Sequence, residues 1–318
     1  MSSPRSSRTL RALLAACSLL PAVAFAAPFA YVPNEKSGTV SVIDTATDTV
    51  VRTLPGGARP RGIASDGRRL FISEAPSDGL VTVDLSAEEP TRHIRLGESP
   101  EGVNVSADRK RVAVAVEESN SVVVLDAASG RKLADIRVRG KNPEHAVFSP
   151  DGRWLLVSAE EAEQVDLIDL KARRQVAQIP VGARPRGIGF TPDGSRAYVA
   201  CELASTVYAI DMASRKVIAS VKAGTFANGV AVAPDGSRVY VSNGKDGTVS
   251  VIRTADHRIE ATIPVGKRPW NMALTPDGRK LYVANGRSNS VSVIDTERLA
   301  TVTEIPVGEL PWGVIVLP

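Results

Sequence analysis

Short stretches of apolar or alternating residues recur along the chain from about residue 30 onward, separated by clusters of Gly, Pro, Asn and Asp. In one unit they are 187–191, 196–200, 206–210 and 216–221, with the turn signal Pro192-Asp193-Gly194 between the first two. Stretches this short, rich in Val, Ile and Tyr and bounded by turn residues, read as strands. None is long enough for a typical helix. The unit repeats. An apolar-apolar-Asp tripeptide ends at Asp44, Asp126, Asp169, Asp211 and Asp295, with a displaced form at Asp84 and Arg253 in the same place in one unit. Spacings between these positions are 40, 42, 43, 42, 42 and 42 residues. Gly-x-x-Pro gives the same count, at Gly57/Pro60, Gly97/Pro100, Gly140/Pro143, Gly182/Pro185, Gly266/Pro269 and Gly308/Pro311, with Gly224 and Ala227 in the remaining unit.

Four strands in a unit of about 42 residues make one blade of a β-propeller. Seven units therefore predict an all-β, seven-bladed propeller of four-stranded blades, a single domain over residues 27–318. Ala30-Tyr31-Val32 matches the second strand of a blade and residues 312–316 match the first. One blade is then assembled from both ends, its innermost strand coming from the C-terminus, which closes the ring without an open sheet edge. The recurrent aspartates are expected to cap turns by side-chain to backbone hydrogen bonds.

Residues 1–26 change the picture of charge and location. Arg5, Arg8 and Arg11 precede the apolar run 12–23, and Ala24-Phe25-Ala26 has the small-x-small form of a signal-peptidase site. This predicts an exported protein, periplasmic or secreted, cleaved after Ala26. The rival reading, a lipoprotein acylated at Cys17, suffers from the short distance between Arg11 and Cys17. No second long apolar run exists, so no membrane span is expected. The net charge of +4 becomes +1 without the three arginines of the leader. With 4% aromatic residues as well, the chain offers no basis for a nucleic-acid partner. Cys201 would be the sole thiol of the mature chain, which excludes an internal disulfide and a Cys-rich zinc site.

Tyr31-Val32-Pro33-Asn34, Tyr240-Val241-Ser242-Asn243 and Tyr282-Val283-Ala284-Asn285, together with Thr248–Ile252 and Ile263-Pro264-Val265-Gly266, resemble the signature of the YVTN β-propeller repeat proteins. Asn285-Gly286-Arg287-Ser288-Asn289 and the ending Pro311-Trp312-Gly313-Val314 resemble a subgroup, the exported propellers found beside pyrroloquinoline-quinone-dependent alcohol catabolism. The resemblance implies the fold and, for the subgroup, service to a periplasmic oxidation pathway. It brings no catalytic residue with it.

A residue present in every blade is structural, so function is sought where blades differ. The position after Gly-x-x-Pro, at the mouth of the central channel, holds Arg61, Glu101, Glu144, Arg186, Asn228, Trp270 and Trp312 in turn. The preceding position adds Arg59, Arg184, Phe226 and Arg268, and the following one His145 and Asn271. These residues suit a polar ligand pocket. Arginine forks suggest a small anionic molecule, or an acidic partner loop, held between Arg61 and Arg186 with the tryptophans as floor. The competing view is a belt of solvated Arg–Glu pairs, since Glu35, Glu117, Glu160 and Glu202 recur on the same face, each pair worth about 0–1 kcal/mol. His93 and His257 are expected in solvent. His145 lacks the partners of a metal site. Trp154, Trp270 and Trp312 do not fall in the repeated Trp motifs of quinoprotein dehydrogenases, so no cofactor is expected. The leading reading is a non-enzymatic exported binding or accessory protein. A lactonase-type hydrolase, with His145 and Glu144 as its polar groups, and a cell-surface adhesion module are the alternatives.

Intact-mass measurement of the exported protein should give a chain starting at Ala27. A lipid-modified Cys17 at its N-terminus would overturn the assignment.

Overall fold

The computed structural model describes residues 28–317. Residues 1–26, where the sequence leads one to expect a leader and its cleavage site, lie outside the described residues, as does Cys17. The chain forms seven four-stranded antiparallel sheets. Blade 1 joins Phe29–Asn34, Thr39–Asp44 and Thr49–Pro55 to the C-terminal strand Ile315–Leu317. Blades 2 to 7 span residues 60–95, 100–137, 143–180, 185–222, 227–264 and 269–306, each an up-and-down meander. The result is the seven-bladed propeller expected from the repeats. No helix among the described residues is long and apolar enough to cross a membrane.

The core is a ring, because each sheet buries both faces against its neighbours. Seven apolar clusters are found, and each straddles two adjacent blades, such as Val122, Ile136, Phe148 and Leu155 between blades 3 and 4. Alternation along a strand sends successive side chains to opposite blades. The C-terminal strand shows this clearly. Val314 and Val316 pack toward blade 7, while Ile315 and Leu317 pack toward blade 2. First strands of neighbouring blades touch at the axis, and outermost strands expose most of their residues.

The repeat signatures have direct physical roles. Asp44, Asp84, Asp126, Asp169, Asp211 and Asp295 each accept a backbone N–H two or three residues on, capping the turn between third and fourth strands. Arg253, in the odd unit, instead pairs with Asp256 at 2.7 Å. The Asn of the tetrapeptide is fully buried. Asn34, Asn243 and Asn285 each donate from Nδ2 to two hydroxyls of the adjoining strand, such as Thr39 and Ser41 for Asn34. The glycine of the linker entering the blade lies against that Asn: a Cβ at Gly224, Gly266 or Gly308 would come within 2.5–2.6 Å of the amide carbon. Gly-x-x-Pro and the tetrapeptide are therefore two sides of one contact.

One expectation is corrected. The closing strand is shorter than residues 312–316: only Ile315–Leu317 pair with Tyr31–Phe29. Residues 312–314 leave the ladder after the single bridge of Pro311 to Asn34, although Trp312 N–H still donates to Pro33 at 3.0 Å. Further links hold blade 7 to blade 1, where Tyr282 Oη donates to Asp48 and Lys280 Nζ lies 2.7 Å from it.

A chain ending at Pro311 should lose several kcal/mol of stability, against about 5–15 for a typical domain, since it uncovers apolar surface of blades 1, 2 and 7 at once. Chemical denaturation of the truncated protein checks this. An unchanged midpoint would contradict closure by this strand.

Candidate functional site

Two backbone features build the mouth of the channel. The first is the linker that crosses from the outermost strand of one blade to the innermost strand of the next. Its residue before proline, or before Ala227, is left-handed at Ser99, Asn142, Arg184, Phe226, Arg268 and Leu310. The carbonyl of each accepts the N–H of the residue just after the second strand of the blade being entered. These donors are Glu117, Glu160, Glu202, Gly244, Gly286 and Glu35, at 2.8–3.1 Å. Turn and second-strand end are thus held together at the rim. The second feature lies in the first strand. Its register shifts between Pro60 and Ile63, Pro100 and Val103, Pro143 and Ala146, Pro185 and Ile188, Ala227 and Val230, and Pro269 and Met272. The two residues skipped in each blade, Arg61 and Glu101 among them, leave the ladder. Such bulges re-aim side chains, and here they face the channel.

The mouth is a cavity of about 270 Å³. Of the residues expected there, Arg61, Glu101, Glu144, Arg184, Arg186, Asn228, Arg268, Trp270, Asn271 and Trp312 line it. Arg59 does not. Its side chain is 52% exposed and holds Glu35 from outside. His145 sits lower, in a second space of about 180 Å³ inside the channel, its ring 5.7 Å from that of Trp312. Asn271 and Trp312 border both spaces. Glu35, Glu117 and Glu160 also line the mouth. Their recurrence after the second strand was the signal that could have placed them in the pocket.

The Arg–Glu pairs form, but they are not a solvated belt. Glu35, Glu101, Glu144, Glu160 and Glu202 are all at most 9% exposed. Arg186 bridges Glu144, Glu160 and Glu202 at 2.5, 2.6 and 3.2 Å. Arg61 joins Glu35 at 3.1 Å and also Glu101, Arg184 contacts Glu160 at 3.2 Å, and Arg268 reaches Glu202 at 2.7 Å. Breaking a buried pair by removing one partner typically costs about 3–5 kcal/mol, because a desolvated charge is left behind. Loss of Arg61 or Arg186 is therefore not neutral for stability, as it would be for rim charges in water. Every rim guanidinium, including the Arg61 and Arg186 forks expected to meet an anion, is already engaged by a glutamate.

Six carboxylates (Glu35, Glu101, Glu117, Glu144, Glu160, Glu202) are matched by five guanidiniums (Arg61, Arg184, Arg186, Arg268 and, from outside the cavity, Arg59). The imbalance is visible in the acidities. Burial, and then the charge of Glu144, push the Glu101 carboxyl up to about 8 despite Arg61. Burial also raises Glu117 and Glu160. Glu144 is buried too, but Arg186 and His145 outweigh this and hold it below the usual range. Burial keeps the His145 imidazole below its ordinary value.

The other side of the mouth carries a single charged group, Arg268, which turns toward Glu202. After the second strand, blades 6 and 7 carry Gly244 and Gly286 where blades 1, 3, 4 and 5 carry glutamate. A Cβ at Gly286 would lie 2.8 Å from the Trp270 ring, and one at Gly244 would lie 3.0 Å from the Arg268 guanidinium. These glycines let Trp270 and Arg268 lie flat over the blade ends, with Arg268 5.4 Å above the Phe226 ring. Asn228 is 5% exposed and its amide makes no hydrogen bond among the described residues.

Other candidates are sorted by their surroundings. Cys201 is buried and its thiol is pushed up to about 12 by desolvation, an inert thiol. His93 is exposed, bonded to Ser77 at 2.8 Å. His257 is half-buried rather than free in solvent, its ring 6.0 Å from Tyr198. One oxygen each of Glu117, Glu144 and Glu160 lie within 4.8 Å of one another.

Comparison with known proteins was made on this basis. The model of the YNCE-like β-propeller family matches residues 62–235, more than half of the chain. That of the seven-bladed β-propeller lactonases matches residues 166–305. No curated protein matches. Among solved structures, Kuenenia stuttgartiensis hydrazine synthase is 24% identical with a TM-score of 0.73, covering 82% of this chain and 89% of that one. A protein of unknown function from Desulfotomaculum acetoxidans is 17% identical with a TM-score of 0.78, covering 91% and 98%. At these identities the likeness is one of fold.

Glu101 gives a pH test. Its carboxyl titrates near 4.5 when free and about 8 in the fold. The folded chain thus holds an extra proton between these values. The stability this provides is complete below the lower value and lost as pH rises through the upper one. Glu101→Gln should therefore gain stability relative to the wild type as pH increases from about 5 to about 8.5. A difference that stays constant in chemical denaturation across this range would contradict a proton retained on Glu101.

Proposed function

The chain belongs to the YNCE-like β-propeller family, and we propose that within it the protein is an exported, non-enzymatic binding or accessory protein. It holds a small polar ligand, or a loop of a partner protein, at the mouth of its channel. The observation that carries this is the asymmetry of the mouth. Ion pairs fix one side of the cavity, while the other presents Asn228, Asn271, Trp270 and Trp312 with no side-chain hydrogen bonds among the described residues. Rigid walls with uncommitted polar groups suit recognition, since little ordering is left to do on binding. The leader supports export. The resemblance of residues 285–289 and 311–314 to the exported propellers of quinone-dependent alcohol oxidation supports service to a periplasmic pathway of that kind.

A lactone hydrolase is the second reading, favoured by the match of residues 166–305 to the lactonase propellers. His145, kept neutral by burial next to Glu144, is the base it would use.

Thermal-shift screening of the mature protein against small polar compounds and a lactone panel separates the two. Under the binding reading, ligands raise the melting temperature of the wild type, the shift disappears in Trp270→Ala, and lactones are not turned over. Lactone turnover that is lost in His145→Ala would transfer the function to the second reading.

A further inference from the structure

The mouth has one carboxylate more than it has guanidiniums, and three of its carboxylates converge. On the premise that the mouth is a binding site, we propose that its ligand is a monovalent organic cation. Its primary ammonium sits among Glu117, Glu144 and Glu160, and its apolar body lies against Trp270 and Trp312.

Geometry and charge select this class. An ammonium has three N–H donors, and one oxygen of each of the three glutamates lies within 4.8 Å of the others. Each also has an oxygen to offer. Arg184 and Arg186 take Oε1 of Glu160, Arg186 takes Oε1 of Glu144, and Ser99 takes Oε2 of Glu117, at 3.0 Å. The opposite oxygen of each has no hydrogen bond among the described residues. The acidic cluster is not the sole pointer to a ligand. Asn228, 5% exposed, borders the same cavity with its amide unpartnered, and an amide oxygen accepts from an ammonium or a neighbouring hydroxyl.

Competing ligand charges fit worse. An anion must displace a glutamate from a guanidinium, since Arg61, Arg184, Arg186 and Arg268 are all engaged. A divalent metal ion brings two charges against one carboxylate in surplus. It also asks for six or more oxygens, in a place where Arg186 lies 2.5 and 2.6 Å from two of the three carboxylates. At neutral pH burial holds a proton on the carboxylate in surplus; a singly charged amine replaces that proton's charge, releasing it to solvent, and leaves every ion pair intact. The indole faces opposite then cover its apolar part, and a cation near such faces gains further from their quadrupoles.

The test uses three probes of one size that differ only in charge: cyclohexylmethylamine, cyclohexylmethanol and cyclohexanecarboxylate, titrated calorimetrically into the mature protein at neutral pH. The amine should bind at least about tenfold tighter than the alcohol and the carboxylate, as charge-assisted hydrogen bonds require. Glu117 is half-buried and its carboxylate is hydrogen-bonded, among the described residues, to Ser99 alone, so Glu117→Gln should keep its melting temperature and bring the amine down to the level of the alcohol. Preference for the alcohol or carboxylate, lost in Trp270→Ala, would overturn the cation assignment and leave the mouth as a binding site. A larger melting shift with calcium chloride than with the amine would overturn it as well. If none of the three probes binds, the cation assignment falls, and the binding reading then rests on the wider screen alone.

Discussion

The structure depends on one contact made between consecutive blades: the crossover linker lying against the end of the second strand it is about to join. In the blades with the full tetrapeptide this is Gly against buried Asn, with the Asn amide tied to two hydroxyls. Where Asn is absent the contact is kept with other partners, Gly57 against Glu74 and Gly97 against Val116. The linker has no strand of its own to fix it. Its position comes from this close approach and from the carbonyl of the left-handed residue that follows. Repeated around the ring, the contact sets the spacing of blades and allows their apolar faces to meet in seven clusters rather than one central core.

The same contact creates the mouth. Holding the second-strand end to the linker brings two variable positions, one from each, to the axis of the ring. The bulge in the first strand adds a third. Three variable positions in seven blades give the protein a surface it can alter without touching the ladder. Blades 1 to 5 use it for carboxylates and guanidiniums. Blades 6 and 7 use it for glycine, asparagine, phenylalanine and Trp270, with Arg268 the one charge, and blade 1 adds Trp312. The cavity is therefore polar all round with its charges gathered mainly on one side, and those charges are desolvated enough for Glu101 to retain a proton up to about pH 8.

Strand number, repeat length, blade count and the joining of both termini in one sheet were legible in the sequence. Each is written in local periodicity and in turn residues: alternation specifies a strand, Asp specifies its turn, and a unit repeated seven times specifies a closed ring. The rim positions were legible for the same reason, because register within a repeat tells which residues share a level. Tertiary structure alone decided the state of those residues. Burial depends on how closely neighbouring blades converge, so the sequence could not distinguish a solvated belt from the desolvated network around Arg186. It could not show that Arg59 turns outward while His145 drops into the channel, or that His257 shelters against Tyr198. Nor could it show that the last strand keeps only Ile315–Leu317 in the ladder, since the break that skips two residues in the other blades extends over 312–314 here. Local pattern fixes which groups arrive at the mouth. The distances between blades fix which charges pair, which amide remains free, and which carboxyl keeps its proton.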